Sequence, residues 1–406
     1  MSDRQSPGRQ EFLRAAGWGD AEIVPLPGDA STRRYARLRH QDRRAMLMDQ
    51  PQAAETAVAP PDADEAARRA LGYNAVARLA GADCRRFSAV SDFLRARGLA
   101  APEILAADYP RGWLVLEDLG DALFSDVLAE GGSEEELYKA AVEILARLHR
   151  EKAPDFLPPP AFAGPSASYG VRSAGLPTSP HRQRADARAG GADLTALPLF
   201  AYDEIALIAE TDLMLEWFFP LALGRKPSDV EYREHRALWR KALDAIANDE
   251  RVFVHRDYHA QNLLWLPERQ GLRRVGLIDF QDAVAGSRAY DLISLTEDAR
   301  RDVPPELGEI AIRHYLATMR DQGTPLDAAQ FRAEMAVMAA QRNTKIVGIF
   351  ARLYARDGKR RYLSYLPRVW RYLERDLDHP LLADLKAWYD RLIPAARRTL
   401  PELESA

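Results

Sequence analysis

Residues 252–280 read VFVHRDYHAQNLLWLPERQGLRRVGLIDF and hold three oxygen-bearing side chains at chemically useful intervals. Asp257 is followed five residues later by Asn262, and Asp279 stands directly before Phe280. Phosphoryl transfer needs this assortment: one carboxylate near the attacking hydroxyl, then an amide oxygen and a second carboxylate on Mg²⁺. Asp257 is placed to orient an alcohol and accept its proton. Asn262 and Asp279 offer the hard oxygen ligands that Mg²⁺ prefers.

The same loop admits a second metal reading. His255, Asp257 and His259 alternate, and three such ligands suit zinc in a hydrolase. The chain has eight histidines, and no other lies near these two in sequence. In a phosphoryl-transfer loop His255 is instead a structural residue that ties down the backbone. His259 either does the same or faces the substrate, as does Gln281 just past the metal turn. Asp291, in DAVAGSRAYDLISL, opens a helix, where a carboxylate caps the N-terminus or hydrogen-bonds the catalytic loop. Its expected role is structural.

These groups need a frame. Leu263-Leu264-Trp265 and Val275-Gly276-Leu277-Ile278 read as the paired strands that bring Asn262 and Asp279 together. Upstream, Ile23–Leu26, Tyr35–Leu38 and Ala45–Met48 read as three more strands. Between the first two lies Gly28-Asp29-Ala30-Ser31, either a polar hairpin turn or a turn exposing N–H groups to a phosphate. GWLVLEDLG (112–120) is an apolar strand entering an acidic turn, a plausible crossing point between lobes or simply an edge strand. Residues 63–79 have helical composition, in an insertion at 54–85 expected to cover the first sheet. Phe87, Val90, Phe93 and Leu94 mark an amphipathic helix ending at Gly98.

Later segments turn helical. Ser133-x-x-Glu136 is a capping box ahead of an apolar stripe ending at Leu148. Helical periodicity recurs over 203–222, 231–247, 288–299, 306–320, 328–356 and 366–375. Between them, 154–198 is dominated by Pro, Gly, Ala, Ser and Arg, which buries too little apolar surface to offset ordering entropy, so a mobile insertion is expected. Strands first and helices after give an α+β chain of two unequal lobes: a β-rich N-lobe (1–118) and a larger helical C-lobe (119–406).

Length and composition agree. The 406 residues suffice for two lobes, and 29% charged with 47% hydrophobic residues is ordinary for a globular chain. A net charge of −4 provides no field for nucleic acid. The lone Cys84 excludes an internal disulfide. With neither a signal-like start nor a membrane-length apolar run, no membrane insertion is expected and the expected location is cytoplasmic. Composition leaves the oligomeric state open.

HRDYHAQN (255–262) followed by LIDFQDAVAGSRAYDL (277–292) resembles the aminoglycoside phosphotransferase and choline kinase superfamily. That resemblance implies a bilobal protein-kinase-like fold phosphorylating a small molecule. More narrowly, GDASTRRY (28–35), LMDQP (47–51), LVLEDLGD (114–121), DFQDAVAG (279–286) and QRNTKIVGIFARLYARDGK (341–359) are similar to bacterial kinases acting on the anomeric hydroxyl of N-acetylmuramate and N-acetylglucosamine. The likeness implies ATP and Mg²⁺ as cofactors, an amino sugar as substrate, and a role in recycling cell-wall sugars. It places Gly28, Asp29, Ala30 and Ser31 over the ATP phosphates, and Glu117, Asp118 and Leu119 beside the adenine. One departure is plain: kinases usually carry a Lys on the third strand, and here it reads Ala-Met-Leu-Met-Asp. Arg33, Arg34 or Arg44 is expected to meet the phosphate charge instead. A lactyl carboxylate on the sugar calls for positive charge; Arg342, Lys345 and Arg352 lie in one helical stretch, where they bind substrate or form a solvated face. Two alternatives remain: a kinase for an aminoglycoside, choline or homoserine, and a nucleotide-binding regulator without turnover.

Overall fold

The computed structural model describes residues 7–28, 32–51, 58–160, 196–248 and 250–400. Most of the expected mobile insertion, 161–195, and Asp29, Ala30 and Ser31 lie outside the described residues.

Helix α1 (Pro7–Ala15) precedes strands β1 (Glu22–Pro25), β2 (Arg34–His40) and β3 (Arg43–Asp49). These join β4 (Ile104–Asp108) and β5 (Trp113–Glu117) in one antiparallel sheet of order β1-β2-β3-β5-β4. Side chains alternate as a period of two requires. Ala45, Leu47 and Val115 point to one face and are covered by Phe12, Leu13 and Trp18. Met48, Leu114 and Leu116 point into the main core with Phe87 and Val90. Those two belong to α4 (Arg85–Ala96).

The insertion corrects an expectation. It forms α2 (Glu65–Leu71) and α3 (Tyr73–Val76), divided at Gly72 with φ +100°. It does not cover the sheet but docks on the large lobe. Arg68 grips Asp203 through two bonds of 2.9 and 2.6 Å. Arg78 turns inward to the carbonyls of Pro60 and Pro61 at 2.8 and 2.7 Å. Charge decides the docking through Arg68, whose acceptor Asp203 lies in the large lobe, while Arg78 ties the segment to its own carbonyls.

The large lobe runs through α5 (Phe124–Ala129), α6 (Glu134–His149), a short β6–β7 pair (Phe156–Leu157, Leu197–Pro198) and α7 (Glu204–Leu213). A π-helical turn, Met214–Phe218, carries α7 into α8 (Phe219–Leu223), and α9 (Asp229–Asp244) follows. Strands β8 (Val252–Val254) and β11 (Val284–Gly286) pair with each other, as do β9 (Leu263–Trp265) and β10 (Val275–Leu277). Then come α10 (Ala289–Thr296), α11 (Pro305–Asp321), the thirty-residue α12 (Ala328–Asp357), α13 (Leu366–Asp376) and α14 (Ala383–Leu392). The bilobal α+β expectation holds. Among the described residues no helix is long and apolar enough to cross a membrane.

Between the lobes, Leu119 packs with Ala100, Leu264 and Leu266. Just before it, Asp118 meets Arg37 of β2 at 2.8 Å, and Asp121 meets the same guanidinium at 2.6 Å. Gly120 supplies the left-handed turn, φ +89°.

Candidate active site

Arg256 has φ +80° and Asp279 has φ +60°, a backbone region that side chains usually avoid. Each such residue costs on the order of 1–3 kcal/mol and persists only where its surroundings impose it. Around Arg256 the restraints are visible. Asp291 on α10 accepts the His255 N–H at 2.6 Å and the Arg256 N–H at 2.8 Å. The Arg256 side chain pairs with Glu210 and donates to the Ala77 carbonyl at 2.9 Å. The loop is therefore clamped from α10, from α7 and from the inserted segment.

That clamp brings Asn262 beside Asp279 and leaves the Asp257 carboxylate within electrostatic range of Asp279. Asn262 donates Nδ2 to the Asp257 carbonyl at 2.9 Å and lies 3.5 Å from Asp279 Oδ2. With its amide nitrogen held there, Asn262 turns its carbonyl oxygen the other way. The β9–β10 hairpin sets the spacing: Leu263 pairs with Leu277, so the residues flanking them end side by side. Asp279 Oδ1 receives Arg33 at 3.0 Å and Gln281 at 3.2 Å. Arg33 also reaches Gln50 at 3.0 Å and lies 3.7 Å from Asp282. A residue just before β2 of the small lobe thus touches the turn at Asp279 in the large lobe.

The histidines stand apart from any shared metal. His255 is fully buried, edge-on to Tyr258 and Phe280. His259 turns Nε2 toward Arg300 at 3.3 Å and Asn262 at 3.4 Å. Two donors at Nε2 place its proton on Nδ1. Burial pulls both imidazoles down to about 4, so both are neutral at pH 7. Among the described residues no group of three His, Cys, Asp or Glu side chains is placed to hold a metal ion, which speaks against the zinc reading. Mg²⁺ asks less of a protein, because phosphates and water complete its shell. One amide oxygen and one carboxylate fit it.

Other expected site residues are distributed as follows. Gly28 is exposed at the start of the phosphate turn, and Arg34 and Arg44 are exposed on β2 and β3. The Glu117 N–H is taken by the Glu103 carbonyl at 2.8 Å, and its carboxylate by Arg269 at 2.8 Å. Glu117 therefore has only its own carbonyl left for an adenine. Gln281 is buried, and its amide nitrogen donates to Asp279 and Asp282 within the turn. His259 lies behind Asn262 in the same way. Arg342 is buried against the Glu297 carbonyl at 3.2 Å and Ser294 at 2.9 Å, which takes it off the cleft.

Lys345 goes elsewhere. Its Nζ lies 3.0 Å from Glu210 and 3.2 Å from the Tyr290 hydroxyl. Burial alone would raise Glu210, but Lys345 and Arg256 overcome it and hold the carboxylate at about 2. Burial pulls Lys345 down, and Glu210 more than reverses this, with Asp257 adding to the rise. One carboxylate thus serves two cations beneath the catalytic loop. Glu210, the docked insertion and the Arg33 bridge are not visible in the motifs, because each is a contact between segments far apart in sequence.

Comparison with known proteins adds an independent line. A model described as the phosphotransferase enzyme family matches residues 22–326. The N-acetylmuramate/N-acetylglucosamine kinase of Caulobacter vibrioides is 40% identical over 98% of this chain and 99% of its own length. A Pseudomonas aeruginosa protein of the same name is 31% identical over 92% and 90%. A microcompartment-associated aminopropanol kinase shares the fold at TM-score 0.51 and 15% identity, covering 91% of this chain and 98% of that one.

Proposed function

The chain belongs to the phosphotransferase enzyme family, and on that premise we propose that it uses Mg²⁺ and ATP to phosphorylate the anomeric hydroxyl of N-acetylmuramate or N-acetylglucosamine. It is a phosphotransferase with an alcohol as acceptor. In this reading Asp257 accepts the hydroxyl proton, while Asn262 and Asp279 hold the metal. When bound, Mg²⁺ would neutralise charge on the transferring phosphate. Asp291 and His259 position the loop that carries these groups. Arg33 would supply the guanidinium for the phosphates that β3 lacks as a lysine, moving from Asp279 to the nucleotide. The product would serve the recycling of cell-wall sugars.

The observation that carries the reaction is the approach of Asn262 to Asp279, 3.5 Å apart, with the Asp257 carboxylate in electrostatic range. The choice of acceptor follows the relatives named N-acetylmuramate/N-acetylglucosamine kinase, 40% and 31% identical over 98% and 92% of this chain.

The test is ADP release from Mg-ATP with N-acetylmuramate, N-acetylglucosamine, kanamycin and choline in parallel. Turnover with the sugars alone is expected. Turnover with kanamycin or choline and none with either sugar would refute this assignment.

A further inference from the structure

Helix α12 turns one stripe toward α7 and the π-helical turn. Gln341 donates to the Leu207 carbonyl at 3.0 Å, and Lys345 pairs with Glu210 at 3.0 Å. Gly348 comes next: a Cβ there would fall 2.3 Å from the Leu213 carbonyl carbon. No larger residue fits this approach, so the two helices are in close contact just where α7 widens into its π turn. Arg352 is the following position on the stripe, at the spacing that keeps residues on one helix face.

Arg352 differs from its neighbours on that stripe. It lies over the ring of Tyr73, 5.2 Å from the centroid. Among the described residues it makes no hydrogen bond or ion pair, and its Nε is buried without a partner. Glu216, the exposed acid of the π turn, acts on it only at longer range. The Tyr73 hydroxyl is within electrostatic range of Glu210, Arg256 and Tyr290. Lys345, in turn, is within range of Asp257. The stripe thus leads from the catalytic loop, past a lysine already bonded to protein, to an arginine that is not.

We propose that Arg352, braced by Tyr73 of the inserted segment, receives a carboxylate carried by the acceptor and so selects an anionic amino sugar over a neutral one. This rests on the sugar-kinase reading above. A guanidinium placed over an aromatic ring, with its Nε buried, keeps its two terminal nitrogens for parallel bonds to a carboxylate. N-acetylmuramate differs from N-acetylglucosamine by an ether-linked lactyl group, and its carboxylate is the one anion separating the two. The inserted segment thereby becomes part of the specificity apparatus, since it supplies the Tyr73 ring.

The test compares the full chain with Arg352→Gln and Arg352→Lys, measuring initial rates on both sugars with Mg-ATP. The ratio of kcat/KM for N-acetylmuramate to that for N-acetylglucosamine is expected to fall about 30-fold in the Gln variant, from the loss of charge-assisted bonds. Most of the change should lie in KM for N-acetylmuramate, and the Lys variant should recover part of it. An unchanged ratio would overturn the inference, whether both rates fall together or neither moves. Wild-type turnover of neither sugar would refute the kinase reading itself, and the inference with it.

Discussion

On one side of the catalytic loop, Asp279 and Asp282 share the guanidinium of Arg33, with Asp257 close by. On the other, Arg256 and Lys345 share the carboxylate of Glu210. The first side carries excess negative charge and is open: the Asp279 side chain is 42% exposed. The second carries excess positive charge and is closed, with Glu210 fully buried. The first arrangement has the charge and exposure that suit a divalent cation, and the second is an internal ion cluster that holds the loop from beneath. The difference teaches that one short loop, held at Arg256, can divide a cleft into two electrostatic halves without a long-range field from a net charge of only −4.

The largest effect should come from breaking the closed side. Glu210→Gln leaves Arg256 and Lys345 buried without their counter-charge, and losing one partner of a buried pair costs about 3–5 kcal/mol. Thermal unfolding should show it as a large drop in Tm. A Tm within error of wild type would mean that the cations are solvated and the two halves are not distinct.

A middle-sized effect should appear on the open side. Arg33→Gln is expected to raise KM for ATP about tenfold, the size of one charge-assisted bond, and to leave KM for the sugar nearly unchanged. The reverse pattern would put Arg33 on the acceptor side and erase the division.

A further effect is a pH dependence of stability. Burial raises Asp291 to about 7, against the two N–H bonds that favour its charged form. An unfolded Asp titrates near 3.9. The folded state therefore holds its proton more tightly, so this contribution to stability is full below about pH 4 and is lost as pH rises through about 7. In denaturant melts the stability of wild type relative to Asp291→Ala should fall as pH rises from about 4 to about 7. A difference independent of pH would show that Asp291 is charged throughout.

Much of this was legible in the sequence, and the reason is locality. Asn262 and Asp279 flank one hairpin, so their approach follows from spacing alone. The first sheet announced itself through alternation in β2 and β3. Ser133 accepts from the Glu136 N–H as foreseen, but Glu136 faces Arg274 at 3.5 Å rather than closing a box. The complete box is at Ser228 and Glu231, where α9 begins. Arg342 and Lys345 looked equivalent at three residues apart, yet one binds the end of α10 and the other Glu210. The insertion was placed on the wrong lobe because its docking depends on Asp203 and Arg256, far away in the chain. Pairings of that kind have no periodicity to read.

The most direct measurement is phosphorus NMR of the product made from N-acetylmuramate or N-acetylglucosamine with Mg-ATP. A single new phosphate coupled to the anomeric proton is expected, and Asp257→Asn should lower its rate of appearance by about a thousandfold. Phosphate on another hydroxyl, or an undiminished rate without Asp257, would contradict the role assigned to this cleft.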